Sequence, residues 1–124
     1  MPFDGTSKTP VAAQSMIVLG MLEPFFSGGT RWARRTYSAP DGKCCLLGAV
    51  DHARHETGLT EDRATEYLAA AIKLRQLSNG LPPLSDTPAM TVIGFNDAFA
   101  RKYSYVVDVV NAAMELAASD AVDR

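Results

Sequence analysis

Residues 104–119 carry the feature that constrains this chain most, a 3.6-residue alternation of polar and apolar side chains. Polar residues fall at Ser104, Asp108, Asn111, Glu115 and Ser119, and apolar ones at Val106, Val107, Val110, Ala113, Met114 and Ala117. Such a stripe occupies one side of an α-helix and has to be covered by other elements. Ser104 is the expected N-cap. The rest of the chain must therefore supply apolar faces of matching length.

Three earlier stretches do so. Thr9-Pro10 opens a first helix, with a capping hydroxyl followed by proline at the first helical position. Val11, Ser15, Val18, Leu22 and Phe25 form one stripe of it, flanked by Ala12, Met16, Leu19 and Phe26. An apolar arc that wide makes the helix central, whether inside one chain or in a homodimer. It ends near Leu22 or Phe26, with Pro24 as a kink or stop. A second helix starts near Asp41 or Lys43, buries Leu46, Ala49, Val50 and Ala53, and stops at Thr57-Gly58. Gly48 beside Ala49 leaves a flat patch where another helix backbone can come close. Thr60 caps a third helix, with Glu61 and Asp62 in its first turn. Its inner face is Ala64, Tyr67, Leu68, Ala71 and Leu74, its outer face Arg63, Glu66, Lys73 and Gln76, and Ser78-Asn79-Gly80 ends it.

The connections are short. Ser27–Thr30 is a break, residues 31–38 are a short strand or an ordered loop, and Ala39-Pro40-Asp41-Gly42 is a turn. Residues 81–88 are rich in proline and irregular. Val92, Ile93 and Phe95 suit either a buried short strand or one helical turn. The expected fold is mainly α: a compact single-domain bundle of about four helices over residues 9–119, with a short extended or one-turn segment near residues 91–97. Residues 1–8 and 120–124 are expected to be flexible ends.

Length and composition fit that reading. A chain of 124 residues suits one domain, which at this size hides about two-thirds of its surface. With 47% hydrophobic and 21% charged residues it is not a disordered chain. A net charge of −2 excludes histone-like polyanion binding. Charge is spread unevenly, +1 over residues 1–58 and −3 over residues 59–124. The apolar run Met16–Leu22 is seven residues long, so it reads as core helix rather than as a span or a signal peptide. Cys44 and Cys45 are adjacent and could pair with each other only through a strained ring. Two free thiols suit a reducing cytoplasm.

Trp32 after the apolar first helix, the run Cys45-Leu46-Leu47-Gly48-Ala49 (C-x-x-G-A) and Phe95-Asn96-Asp97 resemble, in order and spacing, a family of short bacterial, actinobacterial and phage proteins of unknown function. The resemblance covers roughly residues 11–118, and Cys44 stands where that family would have tryptophan. It implies a small helical fold and an accessory or inhibitor protein of phage or mobile-element origin, and it implies no activity.

The polar residues offer few chemical constellations. Cys44 or Cys45, near a predicted helix start, could act as the nucleophile of a cysteine-dependent hydrolase or transferase, with Asn96 or Asp97 orienting groups or stabilising charge. The only histidines, His52 and His55, lie on the same helix as the thiols. Cys45 and His52 are seven residues apart, roughly 10 Å along the axis, too far for a base to reach. The structural alternative is that the thiols pack as small apolar groups and the Asn-Asp pair locks a cap or turn. Cys44, Cys45, His52 and His55 lack metal-site spacing, so no metal and no other cofactor is expected. Arg31, Trp32, Arg34 and Arg35 form a basic and aromatic cluster of interface-anchor composition. Trp32 there pins the loop to the helices. Three arginines without wider basic support make nucleic acid the weaker choice of partner and another protein the stronger one. No complete catalytic set assembles at workable spacing, so a non-enzymatic protein acting by macromolecular contact is favoured. No membrane association is expected.

Overall fold

The computed structural model describes residues 8–59 and 61–122. The expected cap at Thr60 and most of the expected flexible ends therefore lie outside the described residues. Helix α1 spans Lys8–Gly20 and is followed after Met21 by α2, Leu22–Phe26. Thr9 thus lies inside the first helix instead of ahead of it. The interruption falls at Gly20 and Met21 because of Pro24. Proline has no N–H to give, and its ring meets the carbonyl four residues back, which is that of Gly20. Helix α3 is Leu46–Thr57, α4 Ala64–Ser78, α5 Pro88–Gly94 and α6 Tyr103–Ala121. A π-helical turn, Phe95–Phe99, continues α5 directly. The segment near residues 91–97 is therefore helical. No strand forms among the described residues, and the fold is a mainly α single domain with four long helices.

α6 lies between α1 and α4, and α5 packs on α4. The core gathers Val18, Leu19, Leu22 and Phe26 from the first helical stretch, Leu46 and Val50 from α3, Leu68 and Ile72 from α4, Val92 and Phe95, and Val106, Val109 and Val110 from α6. Residues 10–29 are long and apolar enough, by length and composition, to cross a membrane. In the fold that stretch is broken at Met21, and Val18, Leu19, Leu22 and Phe26 within it are buried.

Several helix boundaries differ from expectation. α3 begins at Leu46, not at Asp41 or Lys43, because residues 41–45 are engaged in turn and bridge bonds. Its stop is as expected: Gly58 adopts φ +68° and returns its N–H to the Arg54 carbonyl. α6 starts at Tyr103 with Lys102 at its N-cap, so Ser104 does not cap it, and the helix runs on to Ala121. α4 starts at Ala64, so Glu61 and Asp62 precede it. The Asp62 carboxylate still serves that helix, accepting the Ala64 N–H at 2.9 Å. Ser15, buried on α1, accepts the Arg63 N–H at 2.7 Å, which explains a hydroxyl on an otherwise apolar stripe.

Two side chains of α4 exchange the sides assigned to them. Leu74 is 54% exposed, lining an open groove with Ala112 and Leu116 of α6. Gln76 is buried, since the chain folds back over it: the Leu81 N–H reaches the Gln76 carbonyl at 2.8 Å.

Candidate functional site

All the sequence candidates converge on the loop between α2 and α3. The chain leaves α2 through a tight turn at Ser27–Gly29. A Cβ at Gly29 would stand 2.9 Å from the Tyr103 ring, so only bare backbone lets that ring pack there. Residues 31–38 then form an ordered loop held by isolated bridges to Cys44 from Trp32 and Ser38. Cys44 donates its N–H to the Arg31 carbonyl at 2.9 Å and accepts the Ala33 N–H at 3.0 Å. The Cys45 N–H reaches the Thr36 carbonyl at 2.9 Å, and residues 39–42 close as the expected turn. Gly48 answers a close approach, although the neighbour is this loop and not a helix. A Cβ there would lie 2.2 Å from the Tyr37 carbonyl oxygen.

One side chain ties the loop to the rest of the molecule. Asn96 is completely buried. Its Oδ1 accepts the Trp32 indole N–H at 2.7 Å and the Leu46 backbone N–H at 3.0 Å. Its Nδ2 donates to the Ala33 carbonyl and to Asp97 Oδ1, both at 3.0 Å. A side-chain amide has two acceptor and two donor positions, and all four are occupied. Asp97 Oδ1 also accepts the Arg35 N–H at 2.7 Å, and the Asp97 carbonyl accepts Arg34 Nη2 at 2.7 Å. Arg35 sits at φ +59°, a left-handed conformation costly for a side chain with a Cβ. The bond from its N–H to Asp97 holds that geometry. Trp32, half-buried, lies 6.1 Å from the Tyr103 ring, so it does pin the loop to the helices.

The thiols belong to the same assembly. Cys45 is the N-cap of α3, and its sulfur accepts the Gly48 N–H at 3.4 Å. Both cysteines are buried and unpaired. Burial pushes the Cys44 thiol up to about 11, with the neighbouring Cys45 adding to it. Burial also raises Cys45, against the lowering effect of the Gly48 and Leu47 N–H groups. Both thiols are thus protonated near neutrality, the opposite of nucleophile activation. His52 and His55 are exposed on α3, and His52 stacks on Phe25 at 4.6 Å instead of pairing with an acid. No group of three or more His, Cys, Asp or Glu among the described residues could hold a metal ion.

Sequence spacing gave no sign of a polar chain along α3. The Tyr37 hydroxyl donates to Asp51, Asp51 pairs with Arg54, and Arg54 binds Asp62 through two contacts of 2.8 Å. The bond to Asp51, together with burial, pushes Tyr37 up to about 12. Burial alone would raise Asp62, but the Arg54 guanidinium and the Ala64 N–H outweigh it and hold the carboxyl below its ordinary value.

The three arginines are exposed at the rim of this assembly. Arg31 lies over the Phe25 ring at 5.8 Å, and Arg34 is held only by a carbonyl oxygen. Trp32 differs from them, because its N–H is already spent on Asn96.

Residues 29–116 match a family known as DUF6197, described as a family of unknown function. The chain belongs to DUF6197. The matched span contains the whole Trp32, Cys45–Ala49 and Phe95–Asp97 assembly, and these short segments, scattered along this chain, form one hydrogen-bonded unit. Comparison with curated proteins and with solved structures gave no significant match.

Proposed function

We propose that this DUF6197 protein is a non-catalytic module that acts by contacting another protein through the loop of residues 31–43. One observation carries the reading. Of the side chains that could have formed a reaction centre, Asn96, Cys45 and Asp97 Oδ1 hold the loop and the Cys44 thiol is buried, while the arginines the loop bears stay exposed. Asn96 has no free hydrogen-bonding position, Cys45 is a helix cap, and the Asp97 carboxylate is shared between Asn96 and the Arg35 backbone. What remains available on that face is Arg31, Arg34 and Arg35, and arginine is a frequent anchor of protein interfaces. Trp32, named with them from sequence, supports the contact from behind as packing.

The test is site-specific crosslinking in cells that express the protein. A photoreactive residue at position 31 or 35 is expected to capture one discrete protein, and the same residue at position 73 on α4 is not. Equal capture from both positions would sink the reading. A cysteine-dependent hydrolase or transferase would instead give fast single-site alkylation of the native protein by one equivalent of a thiol reagent at neutral pH. Protection until denaturant is added is the expected result.

A further inference from the structure

We infer that the contact face is wider than the arginine loop and that it recognises a short acidic segment of a partner protein. This rests on the preceding reading and names the chemistry of its partner. The Asn96–Asp97 lock brings a second segment, residues 97–102, against residues 31–43. Arg34 Nη2 and the Arg35 N–H both bond to Asp97, and Arg101 and Lys102 follow directly. Tyr103, next to Lys102, packs against Gly29 and Trp32 at the base of the loop.

The two joined segments hold six of the chain's twelve cationic residues, Arg31, Arg34, Arg35, Lys43, Arg101 and Lys102, and only two of its fourteen acids, Asp41 and Asp97. Their balance is +4, which leaves −6 for the remainder of a chain whose total is −2. All six cations are exposed, and none forms an ion pair among the described residues. Phe99, 37% exposed, adds an apolar side chain to the second segment.

The size of the patch and its surroundings choose the partner. A nucleic acid carries its charge continuously, about one negative charge per 1.7 Å of duplex. Beyond the patch it would run over a surface of net −6. That acidic remainder begins at the edge of the patch, where Asp51 accepts the Tyr37 hydroxyl, so over a screening length of about 8 Å it repels a strand that overhangs the patch. A segment with about four carboxylates ends where the patch ends. The strained Arg35 backbone fits as well. Glycine would adopt φ +59° without cost, yet an arginine occupies the position, and its side chain takes no part in the lock.

The test uses a fluorescent peptide of four consecutive glutamates flanked by glycines and a single-stranded deca-thymidine oligonucleotide, titrated with the full chain at 20 mM and 200 mM salt. The expected result is peptide binding at low salt that weakens at least tenfold at high salt. It also weakens at least tenfold in the triple variant Arg31→Glu, Arg101→Glu, Lys102→Glu, and stays within twofold of the original in Lys73→Glu. Arg35→Gly keeps the backbone bond to Asp97 and relieves the strained conformation, so it is expected to fold normally and still bind more weakly. Absence of peptide binding at low salt, equal binding by the triple variant, or tighter binding of the oligonucleotide than of the peptide would each overturn the inference. If crosslinking at positions 31 and 35 still captures a partner in those cases, the partner chemistry fails and the docking loop stands.

Discussion

Replacing Asn96 by alanine tests whether one side chain holds the loop. The substitution removes four hydrogen bonds and frees a small cavity beneath Trp32. Each bond contributes about 1 kcal/mol net while made, and a buried partner left unsatisfied costs about 1–3 kcal/mol. Of the four partners, the Leu46 N–H lies at a fully buried residue and has no route to water, while the Trp32 indole and the Ala33 carbonyl are only half-buried and can turn outward. Asn96→Ala is therefore expected to cost about 3–4 kcal/mol, a large share of the roughly 10 kcal/mol typical of a domain. The midpoint of thermal unfolding should fall by about 10–15 °C. Urea unfolding followed by circular dichroism measures the loss. Trp32, the single tryptophan, reports the loop through a red-shifted emission. Asn96→Asp sharpens the test. The new carboxyl keeps the two accepted bonds, loses the donated ones, and stands about 3 Å from the Asp97 carboxylate. Its folded-state pKa is then raised, so protons bind the folded form more tightly. The stability it loses at pH 7 should return as pH falls towards the ordinary carboxylate value, about 3.9. A loss below about 1 kcal/mol for Asn96→Ala, with unchanged Trp32 emission, would refute the lock.

The other expectations concern the same surroundings. Cys44, at about 11, and Tyr67, raised by burial and by its bond to Asp120 to about 12, both have folded values above their unfolded ones. The Cys44 contribution is whole below pH 9 and is lost as pH rises towards 11, and that of Tyr67 is whole below pH 10 and is lost towards 12, so urea midpoints should fall from pH 9 upwards. Cys45→Ser keeps a cap acceptor and should change stability little, whereas Cys45→Ala should cost about 1 kcal/mol in the same assay. The Asp62 carboxyl is held low, so its contribution is present above 3.8 and is lost as pH falls below it. Asp62→Asn should cost about 2 kcal/mol at pH 7, tempered by the 30% exposure of Arg54, and acid unfolding should lose that part of its pH dependence. Gly48→Ala should destabilise by about 2–3 kcal/mol despite alanine's better helix propensity, because its Cβ meets the Tyr37 carbonyl. A thermal midpoint equal to or above that of the unsubstituted chain would contradict the close approach.

The helices were legible because their signals are local. The periodicity of α6, the glycine stop of α3 and the proline near the α1–α2 break each act within one or two turns. The misplaced starts differ in direction: α1 and α6 begin ahead of the expected caps Thr9 and Ser104, whereas α3 begins after its expected start. The late start has a physical cause, since a helix starts where the preceding backbone stops having better partners. Residues 41–45 have such partners in the bridges to Arg31, Ala33 and Thr36, so α3 waits until Leu46. Leu74 and Gln76 differ from expectation because a two-sided helix was read as one-sided, without the backfolded residues 81–82 that cover Gln76. The site was legible in its members but not in its wiring. Asn96, Trp32 and Cys45 stand out by type, while their bonds span 64 and 50 residues and leave no trace in spacing.

That wiring also separates the two roles of the loop. Two carboxylates from outside bond to the loop: Asp51 accepts the Tyr37 hydroxyl, and Asp97 Oδ1 is divided between the Asn96 amide and the Arg35 backbone. Among the described residues the Arg34 guanidinium meets the Asp97 carbonyl and that of Arg31 a ring face. Apart from the Asp97 carboxylate the lock is made of dipoles and backbone groups, and among the described residues none of the three guanidinium groups forms an ion pair. Substitutions of Asn96 should act on stability with little dependence on salt, since its bonds are short and at least partly buried. Substitutions among the exposed cations should act on binding, steeply with salt and with little effect on unfolding. A charge-reversed Arg31 that unfolded the protein, or an Asn96 variant that kept full stability and lost only binding, would mean that the two roles are not divided along these lines.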